Sequence, residues 1–247
     1  MKLYNFSEWK KDKCSVQLTE WETDEIFFKK EFSRIEKGWV VIDVGSEYGY
    51  YAIKAGTIVG NEGKVLAIEA HPKTCSLLKK NISLHNLTNR VFPICKAVGK
   101  EKGTAKLYET ISPGSTSIIS PQSPFAANKN RLLMWLEFAK SGDLLNVILK
   151  RFTSMPYSVP MDTLDGIAEE YGFEKINLVK IDVEGAELDV LRGSSGMLEK
   201  HKPILLVEVH LGLKWNPETL YGLLQEAGYR LVMEKRRHKI LLVAYPK

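Results

Sequence analysis

The feature that most restricts how this chain can fold is a set of short, uninterrupted apolar runs separated by amphipathic stretches of helical period. Trp39-Val40-Val41-Ile42-Asp43-Val44, Lys64-Val65-Leu66-Ala67-Ile68-Glu69, Asn177–Asp182 and Pro203–Val209 carry almost no alternating polar positions. A strand with one wet face alternates, whereas a strand apolar on both faces is covered on both sides, as in a parallel sheet. After Pro72, well placed for a helix start, Leu77, Leu78, Ile82 and Leu84 mark one helix face. Further helices are expected through Ile53 and Ile58, near Leu164–Tyr171, over Ala186–Leu198 and over Glu218–Ala227. Val91-Phe92-Pro93-Ile94 is a further strand candidate whose proline suits a strand end, and residues 104–109 read as one more short strand. Tyr229–Glu234 and Ile240–Tyr245 flank the basic turn Lys235-Arg236-Arg237-His238-Lys239, the pattern of an antiparallel hairpin. The expected architecture is α/β: a doubly wound, mostly parallel, seven-stranded Rossmann-like sheet with an antiparallel C-terminal hairpin.

At 247 residues the chain can bury one large α/β core. Residues 1–36 read as an N-terminal helical extension, with Trp9, Trp21, Phe27, Phe28 and Phe32 laid over a core. Residues 37–247 form the main domain. A Ser- and Pro-rich loop followed by an apolar stretch makes an insertion at about 110–155, read as a lid or substrate wall, a dimer element or a helix pair on the sheet. Lys150 and Arg151 beside its apolar residues also permit weak membrane contact. The net charge of +5 is mild and scattered, so no nucleic-acid partner is expected, and the basic hairpin turn is read as a solvated tip. No apolar run reaches the roughly 18 residues of a membrane span, and no signal region opens the chain. Cys14, Cys75 and Cys95 are odd in number and form no CxxC pair, which argues against disulfides or zinc and for a reducing, cytoplasmic setting.

In a doubly wound sheet the ligand sits beyond the carboxyl ends of the strands, beside the first. There the chain carries Asp43-Val44-Gly45-Ser46-Glu47-Tyr48-Gly49. Gly45 and Gly49 let the backbone approach a ligand, but the third glycine of a dinucleotide turn is missing. Asp43 would repel a pyrophosphate and attract a sulfonium cofactor with an α-ammonium group. Glu69, ending the next strand, is placed to accept hydrogen bonds from a ribose diol. S-adenosylmethionine (SAM) satisfies both acids. Its expected pocket is Asp43, Gly45, Ser46, Glu47, Tyr48, Gly49, Glu69, Ala70, Lys96, Ala97 and Asp182, with the adenine at the Cys95–Val98 exit. Tyr48 and Tyr50 fit either a cofactor contact or the core. Asp43 and Glu69 as mere caps of neighbouring helices is the bland alternative.

The second half supplies Met161-Asp162-Thr163-Leu164-Asp165, then Lys180-Ile181-Asp182-Val183-Glu184-Gly185-Ala186-Glu187, then Val207-Glu208-Val209-His210. From about residue 40 to 212 this resembles the FkbM family of SAM-dependent methyltransferases, with its T-L-D segment, I-K-I-D-V-E-G-x-E block and later E-x-H. The resemblance implies O-methylation of a hydroxyl on a small molecule, sugar-like or polyketide-like. The residues agree: Asp182-Val183-Glu184-Gly185 lacks the proline and aromatic of amino-group methyltransferases of nucleic acids, and a carboxylate there can orient a hydroxyl or take its proton. Asp182, Glu208 and His210 are the catalytic candidates. Two roles stay open: Asp182, Glu184, Glu208 and His210 around a divalent metal, which is not expected to be required, or His210 as general base oriented by the acids. The plainer alternative has Glu184 and Glu187 favouring a helix start and Glu208 paired with Lys180, which in its apolar strand needs a partner.

An RNA 2′-O-methyltransferase would need a basic, aromatic-studded face and a lysine-rich catalytic set, which the acid-rich cluster here fits poorly. A non-catalytic SAM-binding regulator would keep Asp43 and Glu69 without needing Asp182 or His210. A homodimer is left open.

Overall fold

A computed structural model describes residues 2–3, 16–17, 28, 30–109, 116–117, 156–211, 216–236 and 239–247. Strands β1 (Lys2–Leu3) and β2 (Val16–Gln17) form a small antiparallel ladder. The main elements then alternate: β3 (Val40–Val44), α1 (Tyr50–Ile58), β4 (Lys64–Ile68), α2 (Pro72–Leu84), β5 (Val91–Ile94). Three short strands follow, β6 (Ala97–Val98), β7 (Gly103–Glu109) and β8 (Thr116–Ser117), then β9 (Tyr157–Asp162) and α3 (Leu164–Tyr171). Next come β10 (Leu178–Ile181), α4 (Glu187–Arg192), α5 (Ser195–His201) and β11 (Ile204–His210). The last elements are α6 (Pro217–Glu226), β12 (Tyr229–Lys235) and β13 (Lys239–Pro246).

The seven-stranded sheet runs β12-β13-β11-β10-β3-β4-β5. Its pairs from β11 to β5 are parallel, and β13 inserts antiparallel between β11 and β12. The expected doubly wound sheet and hairpin are therefore present. Pro93 lies inside β5 rather than at its end; it is accommodated because β5 is an edge strand and needs hydrogen bonds on one side only. β6, β9, β7 and β8 form a second, smaller sheet that the apolar-run pattern did not reveal.

Period two along each strand sorts the core into two layers. Ile42, Val44, Val179, Ile181, Val207 and Val209 join one apolar cluster, shared with α3, α4, α5 and α6. Val41, Val65, Ala67, Leu178 and Leu206 join the other, shared with α1, α2, Phe28 and Phe32. Asp43, Glu69, Lys180, Asp182, Glu208 and His210 have the parity of this second set, so the charged residues share its face at the carboxyl ends of the strands.

Two expectations need correction. The single helix Ala186–Leu198 is two helices, α4 and α5, interrupted at Gly193-Ser194. Gly193 lies so close to the Gly99 carbonyl that a β-carbon would overlap it, and its own carbonyl accepts the Asp165 N–H. The thiol expectation also fails: Cys75 on α2 and Cys95 after β5 are joined by a disulfide, with Cα atoms 5.8 Å apart. The odd cysteine count hid a pair that meets only after the strands align. Trp9, Trp21, Phe27, Cys14 and the apolar stretch 129–152 lie outside the described residues, so the lid, dimer and membrane readings of the insertion do too.

Candidate active site

The turn after β3 is built around close backbone packing. Gly45 has φ 79°, and a β-carbon there would overlap the Asp182 carbonyl oxygen, which brings the exits of β3 and β10 together. Gly49, φ 94°, caps α1, and a β-carbon on it would press on Leu78. Both glycines thus serve chain-on-chain contact, beyond the ligand approach expected of them. Ser46 Oγ donates to the Asp43 carbonyl at 2.8 Å. Tyr48 and Tyr50 are half-buried and pack against the α1–α2 core.

Asp43 is buried, and neither of its carboxylate oxygens accepts a hydrogen bond among the described residues. Its nearest charge is Lys180 Nζ, 3.6 Å from Oδ1. The same buried ammonium lies 3.4 Å from Asp182 Oδ2 and over the Tyr51 ring. Lys180 is thus the counter-ion of Asp43 and Asp182, while Glu208, which the plainer alternative paired with Lys180, pairs with Lys239. Burial opposes its charge, but Asp182 and Asp43 outweigh it and raise its pKa. Glu69 accepts the Glu47 N–H at 3.0 Å on one oxygen and the His71 N–H at 2.8 Å on the other. A carboxylate has about four acceptor positions, so two remain for a diol.

These acids repel one another. Burial, and then the charges of Asp182 and Glu69, push Glu47 up to about 8. Burial pushes Glu69 up to about 7 despite its two backbone donors. Asp43 is raised as well, by burial first, with Lys180 opposing. A buried carboxylate with orphaned oxygens, set among acids that ionise reluctantly, suits a cationic ligand and repels a pyrophosphate. The pocket therefore fits SAM through Asp43, Glu69 and the Gly45–Gly49 turn. Ala70 is half-buried at its rim and Ala97 is buried in β6. The Lys96 side chain turns away to Asp162, 3.2 Å, and Glu170, so from Lys96 only the backbone is free to line the adenine side.

One ligand atom from each of Asp182, Glu208 and His210 lies within 4.8 Å of the others. The three expected catalytic residues are thus brought together at the exits of β10 and β11. His210 Nδ1 meets Glu187 Oε1 at 2.7 Å, leaving Nε2 3.5 Å from Glu184 and 4.0 Å from Asp182. Burial disfavours the imidazolium, but the Glu187 hydrogen bond and the surrounding carboxylates raise it to about 10. Burial, then Asp182, lifts Glu208 to about 7 against Lys239, whose Nζ sits 2.8 and 2.9 Å from the two Glu208 oxygens. Asp182 is lowered: burial is outweighed by Lys180, His210 and Lys239. The trio has the ligand chemistry for a divalent cation, yet Lys239 and Lys180 already neutralise its carboxylates.

Lys239 and Glu187 are the site residues that motif reading passed over. Glu187 stood within the quoted I-K-I-D-V-E-G-x-E block, where only its helix-start role was considered. Lys239 was hidden in a basic turn and reaches the site through the register that sets it opposite His210. The T-L-D segment is architectural: Thr163 Oγ1 accepts the Gly166 N–H to start α3, and Asp165 accepts the Gly196 and Met197 N–H groups to start α5.

A doubly wound sheet with an acid-lined pocket at the exit of β3 and the cluster of Asp182, Glu208 and His210 beside it has the architecture of a Rossmann-like methyltransferase. The profile of the methyltransferase FkbM domain matches residues 43–231. The chain belongs to this family and is a SAM-dependent methyltransferase. It is 25% identical over 201 residues to Methyltransferase 1 of Beauveria bassiana, covering 79% of this chain and 74% of that one. It is 28% identical over 194 residues to the hexuronic acid methyltransferase AglP of Haloferax volcanii, covering 78% of this chain and 64% of that one. Among solved structures, the methyltransferase FkbM of Methylobacillus flagellatus KT shares the fold with TM-score 0.52 at 16% identity, over 85% of this chain and 43% of that one. A SAM-dependent methyltransferase from Aquifex aeolicus aligns over 98% of both chains, with TM-score 0.51 at 13% identity.

Proposed function

We propose that the enzyme methylates a hydroxyl oxygen of a small, sugar-like molecule held over Asp182. The observation that carries this reading is the convergence of Asp182, Glu208 and His210 beside the SAM turn. Bound SAM supplies a methyl group already activated by its sulfonium sulfur and leaves as S-adenosylhomocysteine. Asp182 accepts the acceptor's O–H and aims its lone pair along the line of transfer, which is the larger part of the rate gain. His210 Nε2 takes the hydroxyl proton as the oxygen gains its methyl group. Glu187 and the surrounding carboxylates favour the imidazolium, and a bound cationic cofactor would oppose them, favouring the neutral ring that can take a proton. Lys239 opposes the burial that favours the protonated form of Glu208, and Lys180 holds Asp182 ionised.

The hexuronic acid relative supports a sugar-like acceptor, and Asp182-Val183-Glu184-Gly185 in place of an N/D-P-P-Y/F clamp supports oxygen over an amino nitrogen. The reading requires no metal and no nucleic acid. Its cytoplasmic setting belongs with it as an expectation, although the free-thiol argument for that falls with the Cys75–Cys95 bond.

Calorimetric titration with SAM, S-adenosylhomocysteine and NAD tests the cofactor first: the two sulfur compounds bind and NAD does not. Methyl transfer from labelled SAM is then followed on a panel of hexoses, hexuronic acids and polyols. Asp182→Ala lowers turnover at least about 100-fold; undiminished turnover in that variant removes the assignment.

A further inference from the structure

Glu31, Asp162 and Glu187 are buried acids that the cofactor pocket and the acceptor cluster do not use directly, and of these Glu187 touches a catalytic candidate. Glu187 opens α4, is fully buried, and makes two contacts through the same oxygen. Oε1 accepts the Gly185 N–H at 2.9 Å and meets His210 Nδ1 at 2.7 Å. Its second oxygen is buried and accepts no hydrogen bond among the described residues. Burying an acid this completely is costly, and a helix start of six residues does not require it. A Glu that merely favoured the helix dipole would do so from the surface. What burial achieves is a fixed orientation of the His210 ring and of the Glu184-Gly185 turn, where Glu184 has φ 51° and Gly185 φ 105°.

We propose that Glu187 is the positioning residue of this active site, holding His210 by Nδ1 so that Nε2 faces the acceptor oxygen above Asp182. The inference rests on the hydroxyl-methylation reading, in which His210 is the proton acceptor. A carboxylate on Nδ1 selects the Nδ1–H tautomer of the neutral ring and leaves the Nε2 lone pair exposed, which is what a base needs. Because one oxygen also holds Gly185, the turn carrying Glu184 and the ring on β11 are fixed by a single atom. The other charged groups around the ring are Glu184 and Asp182 on the Nε2 side, Lys239 opposite it on β13, and Glu208 two residues back on its own strand. Asp182 and Glu184 approach the ring at Nε2, 4.0 and 3.5 Å away, while Glu187 meets Nδ1 at 2.7 Å.

The test uses the full chain and begins with a readout that needs no substrate. Nitrogen-15 NMR of the five histidines, with His210 assigned through His210→Asn, reports protonation and tautomer against pH. In the unaltered protein, His210 stays doubly protonated past neutral pH and then loses the Nε2 proton. Glu187→Gln keeps an oxygen for Gly185 and removes the charge. In that variant the His210 midpoint drops by at least about one pH unit, SAM binding by calorimetry is unchanged within about two-fold, and kcat falls about 10- to 100-fold with KM for SAM retained. A His210 titration that does not move in Glu187→Gln, or an Nε2–H tautomer in the unaltered protein, overturns the proposal. The second measurement needs no variant, so a Glu187 substitution that fails to fold still leaves it decidable. Loss of all methyl transfer in the unaltered protein, with the NMR result as expected, sinks the hydroxyl reading and leaves the Glu187–His210 geometry standing.

Discussion

Asp43, Glu47, Glu69, Asp182 and Glu208 form a set of carboxylates gathered where two ammonium groups, Lys180 and Lys239, and one imidazole must serve them all. Glu69 and Glu208 are held at about 7 and Glu47 at about 8, against an ordinary value of 4.5, so the folded chain keeps protons that the unfolded chain releases. His210, held at about 10 against 6.5, acts in the same direction at higher pH. The stability these groups lend is complete below their unfolded values and is lost as pH rises through the folded ones. Asp162 and Asp182 are shifted the other way, and their contribution is complete above about 4. The Tm of the ligand-free enzyme therefore falls between about pH 6 and 9, on the order of 5 °C, and saturating SAM flattens the slope. Calorimetric scans across that range check it; a Tm that rises with pH contradicts the charge assignment. Asp43 and Glu69 were legible in the sequence because a strand end and a fixed spacing locate them. The need of Lys180 for a partner was legible too, but not which acids would serve, since that depends on how β3 and β10 align side by side.

Elements show a similar division. The long parallel strands declared themselves through unbroken apolar runs, and β12 and β13 through the turn between them. The second sheet did not, because β6 and β8 have two residues each and gain their meaning only from β7 and β9. The break between α4 and α5 was equally hidden, since periodicity continues across it and contacts of Gly193 with Gly99 and Asp165 accompany it. Asp165 explains why the T-L-D segment accompanies this break: its carboxylate caps α5 from 31 residues away. Asp165→Ala should lower unfolding stability by about 1–2 kcal/mol in urea titrations while SAM affinity changes less than about two-fold. A loss of SAM binding with stability intact would instead give Asp165 a place in the pocket.

The molecule as a whole is tied by one bond that composition argued against. Cys75 and Cys95 join α2 to the strand exit beside the adenine side of the pocket, closing a loop of 20 residues. Chain-entropy reasoning gives such a closure about 3 kcal/mol, or roughly 6–12 °C in Tm for a chain of this size. Reduction with dithiothreitol should lower Tm by that order, and denatured, unreduced protein should show one titratable thiol of three; three reactive thiols would remove the bond. The sheet order has another consequence. β13 lies between β11 and β12, and its first residue, Lys239, neutralises Glu208 beside Asp182. During synthesis, Asp43 leaves the ribosome almost two hundred residues before Lys239 does. The turn after β3 gains its packing partner and the counter-ion of Asp43 once β10 pairs β3, whereas Glu208 gains its own only when β13 has threaded into place. Glu208 thus depends for its ammonium partner on a strand that follows it in the chain and lies beside it in the sheet.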